Sequence, residues 1–279
     1  MNDDSVLRAM ADDGSFRVIV ARTNDTVRGA VGVQKVVGPI AERVGDLVTG
    51  SILVRETMAP QLRVQGIIKT RSGSLVADAH PDGATRALVQ GSRETAPVED
   101  QVMQMMRTLP NGSVHQGFVE VPETGGVSAA LMAYMQQSEQ VESVVAVGTV
   151  LDEAGAPIAA GGYVVQLLPE AKHDALAVMT ARIETLRPIL QLLGTGGLTP
   201  RDVVAELLGE MPFTVLEERA VRYACQCSHA RVLASLLTIG AGELRSMHDE
   251  NRVFEITCDF CGTDYKVGPD DLATMLSRN

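Results

Sequence analysis

Every cysteine of this chain lies near its C-terminus: Cys225-Gln226-Cys227 and, thirty residues further on, Cys258-Asp259-Phe260-Cys261. Two close pairs separated by a few tens of residues suit one four-coordinate ion. Each pair supplies two ligands from one turn, and the chain between them folds back. Four thiolates suit zinc, and a bound metal competes with protons for sulfur, so the ligated sulfurs stay nucleophilic. The spacing leaves other readings open: buried core cysteines, a purely structural zinc knob, an iron–sulfur site, or a thioredoxin-type pair at Cys258 and Cys261. The last of these lacks a βαβ context and leaves the other pair unexplained. Cys225 and Cys227 depart from the usual two-CxxC zinc ribbon because only one residue separates them. Pairs this close can each shut into a small disulfide ring when the metal leaves, the Cys225–Cys227 ring being strained, so oxidation is stored without a second chain.

Other chemically suggestive residues read more plainly. His229 follows the first pair and His248 lies between the pairs, but four sulfurs already complete a tetrahedral shell, so both read as solvated or supporting groups. His80, His115 and His173 show no partner spacing. Gly194-Thr195-Gly196-Gly197 lacks the Lys-Ser/Thr of a phosphate-binding loop and reads as a helix break, which leaves no ATP site. Met103, Met105 and Met106 read as sheet residues rather than a promiscuous binding groove.

These residues need elements to hold them. Short β-branched runs predict strands at Phe16 to Arg22 and Val27 to Val33 around an Asn24-Asp25 turn, and then a helix from Pro39 to Thr57 with Ile40, Val44, Leu47, Val48 and Ile52 on one face. Strand patterns resume at Gln61 to Thr70, Ser74 to Ala79, Thr85 to Gln90, Val102 to Thr108 and Ser113 to Val121, the last two joined at Asn111-Gly112. A helix capped by Ser128 is expected to run to about Gln140, burying Leu131, Tyr134 and Met135, before strands at Val144 to Leu151 and Ile158 to Leu168. Strand runs without βαβ alternation argue an α+β sheet domain over residues 1–168. Residues 169–220 then read as a helical connector. Leu176, Met179, Ile183, Leu186 and Leu190 are in register, Pro188 introduces a kink, and Thr199-Pro200-Arg201-Asp202 starts a helix that stops at Gly209. Residues 221–279 form the C-terminal zinc-binding unit, short enough that a metal worth ~10 to 16 kcal/mol in small zinc domains decides whether it folds. Its melting would uncover the Leu and Val faces of the connector.

The whole chain has 279 residues, Lys plus Arg 24 against Asp plus Glu 35, and a net charge of −11. That balance speaks against binding phosphate backbones, and five Phe, four Tyr and no Trp leave few base-stacking platforms. Residues 221–279 hold six basic against eight acidic residues, the wrong sign for a nucleic-acid zinc module. A thiol oxidoreductase, the enzyme alternative, would need an exposed low-pKa cysteine and turnover with a reductant. No signal peptide or membrane span is expected, and the reading is a cytosolic chain in which thiols stay reduced.

Tyr223-Ala224-Cys225-Gln226-Cys227-Ser228, the segment Leu236 to Leu244, Cys258-Asp259-Phe260-Cys261 followed by Tyr265, and Gln137-Ser138-Glu139-Gln140 resemble the redox-regulated 33 kDa chaperonins, the heat shock protein 33 family. The order of a strand-rich first part, helical middle and C-terminal zinc unit extends the resemblance over essentially the whole chain. It implies a chaperone, not an enzyme: an ATP-independent holdase of the bacterial cytoplasm that binds unfolded client proteins under oxidative stress. It further implies Cys225, Cys227, Cys258 and Cys261 as ligands of one zinc in a reduced, inactive form. Peroxide or hypochlorous acid would then activate the chain by forming Cys225–Cys227 and Cys258–Cys261 disulfides, releasing zinc and giving a homodimer. Two positions depart from the family pattern. Gly262 stands where Asn is frequent, and His229-Ala230 replaces a charged stretch, which bears on the activation threshold.

Overall fold

A computed structural model describes residues 4–91, 101–109, 111–169, 171, 173–194 and 199–277. Two units divide the chain, Met1–Ala224 and Cys225–Asn279. In chain order the first contains β1 (Ser5–Ala11), β2 (Phe16–Arg22), α1 (Asn24–Gln34), α2 (Pro39–Glu56), β3 (Arg63–Thr70), β4 (Gly73–Ala79), β5 (Ala84–Gly91), β6 (Val102–Thr108) and β7 (Val114–Glu120). It continues with α3 (Gly126–Gln137), β8 (Ser143–Leu151), β9 (Pro157–Leu167), α4 (His173–Thr185), α5 (Ile189–Gly194), α6 (Pro200–Leu208), β10 (Phe213–Ala220) and β11 (Arg222–Tyr223). The strands form a five-stranded sheet, β10-β1-β2-β9-β8, and a six-stranded sheet, β11-β5-β4-β3-β6-β7. The result is the expected α+β mixture.

Between the sheets lies α2. The expected single apolar face is corrected here, for fourteen of its eighteen residues are buried, Thr49, Ser51, Arg55 and Glu56 among them. Its small residues admit the neighbours: a Cβ on Gly45 would collide with Thr149, and one on Gly50 with Leu131. Around α2, one core joins Ile19, Val31, Leu47, Leu53, Val64, Ile68, Met103, Met105, Leu131 and Tyr134. Of the methionines expected in the sheet, Met103 and Met105 thus face inward from β6, whereas Met106 falls on the other face and is half-buried.

Other local expectations change with the packing. Residues 27–33 belong to α1, not to a strand. Val27, Ala30, Val31 and Gln34 bury one helical face, and the Asp4 carboxylate accepts from the Thr26 backbone and hydroxyl at 2.7 Å, which anchors the helix start to the residue just before β1. Ser128 is not a cap, since Gly125 with φ 86° precedes α3 and the Ser128 hydroxyl accepts from Val147 N at 3.0 Å. In residues 169–220 the expected long helix is two, α4 and α5, parted before Pro188. The helical expectation fails altogether at β10, which pairs antiparallel with β1. Thr199 caps α6 with a complete capping box and Gly209 ends it at φ 59°, both as expected. Helices α4 to α6 bury Met179, Ile189, Leu192, Val203, Val204, Leu207 and Leu208 against Leu7, Phe16, Val18 and Val20 on the outer face of the five-stranded sheet. Residues 195–197, and the side chains of Leu176 and Leu190, lie outside the described residues.

The second unit contains α7 (His229–Leu236), a short 3-10 turn, α8 (Ala241–Asp249), the hairpin β12 (Phe254–Thr257) and β13 (Asp264–Val267), and α9 (Pro269–Ser277). Its core is small: Leu244, Val267, Leu272 and Met275, with Val232, Leu233, Leu236 and Phe254 against it.

Candidate metal and redox centre

The second cysteine pair sits in the loop of the β12–β13 hairpin. Cys258 N donates to Thr263 O at 2.9 Å, and Cys261 N and Gly262 N turn back to Cys258 O at 3.2 and 2.7 Å, so the amides wrap the loop into a tight knuckle. Gly262 has φ 69°, in the left-handed region that glycine and asparagine accept most readily. Glycine at position 262 therefore suits the turn. The first pair lies in the extended chain just before α7, whose start is fixed by the Ser228 hydroxyl accepting from Arg231 N at 3.3 Å.

All four cysteines predicted from the sequence converge. Their sulfurs lie within 4.8 Å of one another, all are thiols, and each residue is half-buried. Cys225 Sγ is 3.8 Å from Cys258 Sγ, and Cys227 Sγ is 3.3 Å from Cys261 Sγ. A tetrahedral ion bonded to sulfur at about 2.3 Å needs sulfurs about 3.8 Å apart, so this donor set fits one with only small adjustment. Both of these approaches link one cysteine pair to the other.

Neighbouring hydroxyls polarise the cluster. The Tyr265 hydroxyl donates to Cys227 Sγ at 3.0 Å, and the Thr263 hydroxyl lies 3.2 Å from Cys261 Sγ. Burial raises the Cys227 thiol, outweighing the Tyr265 bond, and burial likewise raises Cys258. Burial also opposes ionisation of Cys261, but its hydrogen bonding with Thr263, and then with the Cys227 and Cys258 sulfurs, prevails and lowers it to about 7. Tyr265 is itself raised to about 12, chiefly by its bond to Cys227. Tyr265 was legible as part of the sequence pattern, whereas Thr263 was missed; its only signal is a hydroxyl two residues beyond a cysteine.

His229 and His248 stay outside the sulfur cluster. His229 Nε2 is 3.1 Å from Lys266 O and 3.5 Å from Asp271 Oδ2, and His248 Nδ1 is 3.5 Å from Asp249 Oδ1. His80 corrects the expectation of no partner: it is buried, with Nε2 3.1 Å from Asp78 Oδ2, because β4 and the turn after it bring positions two apart onto one carboxylate. Among the described residues no helix is long and apolar enough to cross a membrane.

Comparison with known proteins matches residues 4–268 to the family model described as Hsp33 protein. The chain is 28% identical over 294 residues to the 33 kDa chaperonin of Citrifermentans bemidjiense, covering 99% of this chain and 97% of the relative. It is 27% identical to that of Staphylococcus aureus strain JH9 over 99% of both chains. In fold it is similar to the crystal structure of the 33 kDa chaperonin (heat shock protein 33 homolog) from Thermotoga maritima, with a TM-score of 0.82, 21% identity, and 99% and 98% of the two chains covered.

Proposed function

This chain belongs to the Hsp33 family, a family of chaperones, and on that premise we propose that it is a redox-regulated, ATP-independent holdase for unfolded proteins. The convergence of four thiols within 4.8 Å carries the reading. In the proposed reduced state Cys225, Cys227, Cys258 and Cys261 hold one zinc. Zinc bound there would keep the sulfurs as thiolates and tie the hairpin loop to the chain before α7. Tyr265 and Thr263 orient Cys227 and Cys261 for that arrangement. Activation is the oxidation of each sequence-adjacent pair: two thiolates give up two electrons to one hydrogen peroxide, whose O–O bond breaks, forming a disulfide and two hydroxides that solvent protonates to water. The proposed products are Cys225–Cys227 and Cys258–Cys261, because once the small core of the second unit loosens, neighbours in sequence have the highest effective concentration. Loosening of the second unit accompanies the exposure of apolar surface that clients meet. A cytoplasmic location and an oxidised homodimer complete the proposal.

Two measurements test it together. Metal analysis after reductive refolding with zinc should find one zinc per chain, lost in Cys258→Ser. Light scattering of unfolding citrate synthase should fall when the peroxide-treated chain is added and stay high with the reduced chain. Insulin reduction without client protection would instead mark a thiol oxidoreductase. Peptide mapping that finds chiefly the spatially close pairs Cys225–Cys258 and Cys227–Cys261 would refute the proposed disulfides.

A further inference from the structure

Sheet edges in the first unit are defended unequally. An open edge strand offers unpaired N–H and C=O groups to any extended chain, and proteins blunt such edges with bulges, charges, prolines or a covering element. β10 carries Glu217, Glu218 and Arg219, and its register breaks opposite Arg8 and Ala9. β8 breaks register between Val150 and Leu151. The β5 edge is covered twice, by Arg222–Tyr223 pairing with Ala84 and Thr85 and by the Gln34 side-chain oxygen accepting from Val89 N at 3.0 Å. At the opposite edge of that sheet, β7 reads Val-His-Gln-Gly-Phe-Val-Glu, with no lysine or proline and one charge at its last residue. Its register with β6 is unbroken, and no strand pairs with its outer side among the described residues.

The ladder decides which groups face outward. Leu109 N donates to Ser113 O and Val121 N to Gln101 O, so by alternation residues 113, 115, 117, 119 and 121 bond toward β6. The N–H and C=O groups of Val114, Gln116, Phe118 and Glu120 therefore point away from the sheet. Val114 and Phe118 are each 50% exposed, and an open groove of about 940 Å³ bordered by Phe118, Glu120, Pro122 and Gln137 runs beside the strand.

We propose that the outer edge of β7 docks an extended segment of unfolded polypeptide as an added strand. This inference rests on the chaperone reading above. The occupant follows from the hydrogen-bond complement of the edge. Alternating donors and acceptors are met by an extended backbone of any sequence, whereas a folded partner has already paired its own. With one terminal charge the edge hardly discriminates among charged segments, and the groove receives a side chain from alternate positions.

Oxidised full-length chain titrated into fluorescent, reduced and carboxymethylated α-lactalbumin tests the idea. Gln116→Pro deletes one outward N–H and sets a ring on the edge while sparing the bonds of residues 115 and 117 to β6. It should weaken binding by at least about threefold. Gln116→Ala loses the same side-chain bond to Gln104 but keeps the N–H, and should bind like the unmodified chain. Hydrogen exchange on the unmodified chain gives a second readout: client should slow the amides of 116, 118 and 120 and leave 115, 117 and 119 unchanged. Undiminished binding by Gln116→Pro, or client protection that spares this strand, overturns the proposal. So does sedimentation showing that Gln116→Pro abolishes a dimer while client binding persists, which would give the edge to a second copy. An unmodified chain that holds no client in either assay removes the chaperone reading itself.

Discussion

Asp78 shows what a single buried charge demands. Its fully buried carboxylate meets Arg63 Nη2 at 2.8 Å, Arg86 Nε at 3.0 Å and His80 Nε2 at 3.1 Å. Burial alone would raise its pKa, but these partners prevail and hold it well below the usual carboxylate range. Asp78→Asn leaves two guanidinium groups without a counter-charge and should cost about 3 kcal/mol, read as a lower urea midpoint. Asp46 behaves oppositely. Burial lifts it to about 7, against the hydrogen bond it accepts from the Thr149 hydroxyl at 2.9 Å. The folded chain thus keeps a proton that the unfolded chain has lost above about pH 4, so this residue's contribution to stability falls as pH climbs from about 4 toward 7. Asp46→Asn retains an acceptor for Thr149 without that proton dependence. Urea titrations at pH 5 and pH 8 should show the variant gaining on the unmodified chain at the higher pH, by on the order of a few kcal/mol.

Among the elements, α6 is the one whose boundaries the local chemistry specifies most fully. Thr199 and Asp202 exchange capping bonds in both directions, and Thr199→Ala should cost about 1 kcal/mol, visible as a small drop in Tm. The chain before the cysteines works differently, since its order comes from distant partners. Arg219 reaches Pro81 O at 2.8 Å and pairs with Glu56, Val221 N donates to Asp4 O at 3.1 Å, and Ala224 N donates to Thr85 O at 3.0 Å. Residues 213–224 therefore pass from the edge of one sheet to the edge of the other and tie the two together.

At the scale of the molecule this tie decides where the chain can be cut. Ending it near Glu218, as a helical connector would permit, removes part of β10 and all of β11, whereas ending it after Ala224 keeps both sheets complete. The Met1–Ala224 chain should stay folded and suppress aggregation of an unfolded client without oxidant, as light scattering would measure. If it folds, as circular dichroism would report, but remains inactive, the second unit does not act as a restraint on α4 to α6, and its oxidised form holds the client instead. The apolar faces of those helices already rest on the five-stranded sheet, so activity of the truncated chain would require that docking to loosen.

What the sequence determined by itself was chemistry and local punctuation. Cysteine spacing specified a four-thiol centre because ligand number and turn length are local properties, and the Thr199 cap, the Gly209 stop and most strands of the six-stranded sheet were legible for the same reason. Tertiary structure alone decided the rest. Residues 27–33 have β-branched composition, yet a helix wins because its face packs into the core and Asp4 anchors its start. β10 exists because β1 offers an edge to pair with, and α2 is buried over most of its surface because two sheets close over it. Strand pairing and burial depend on partners hundreds of residues away, and composition within a window of ten residues carries no information about which partner will be there.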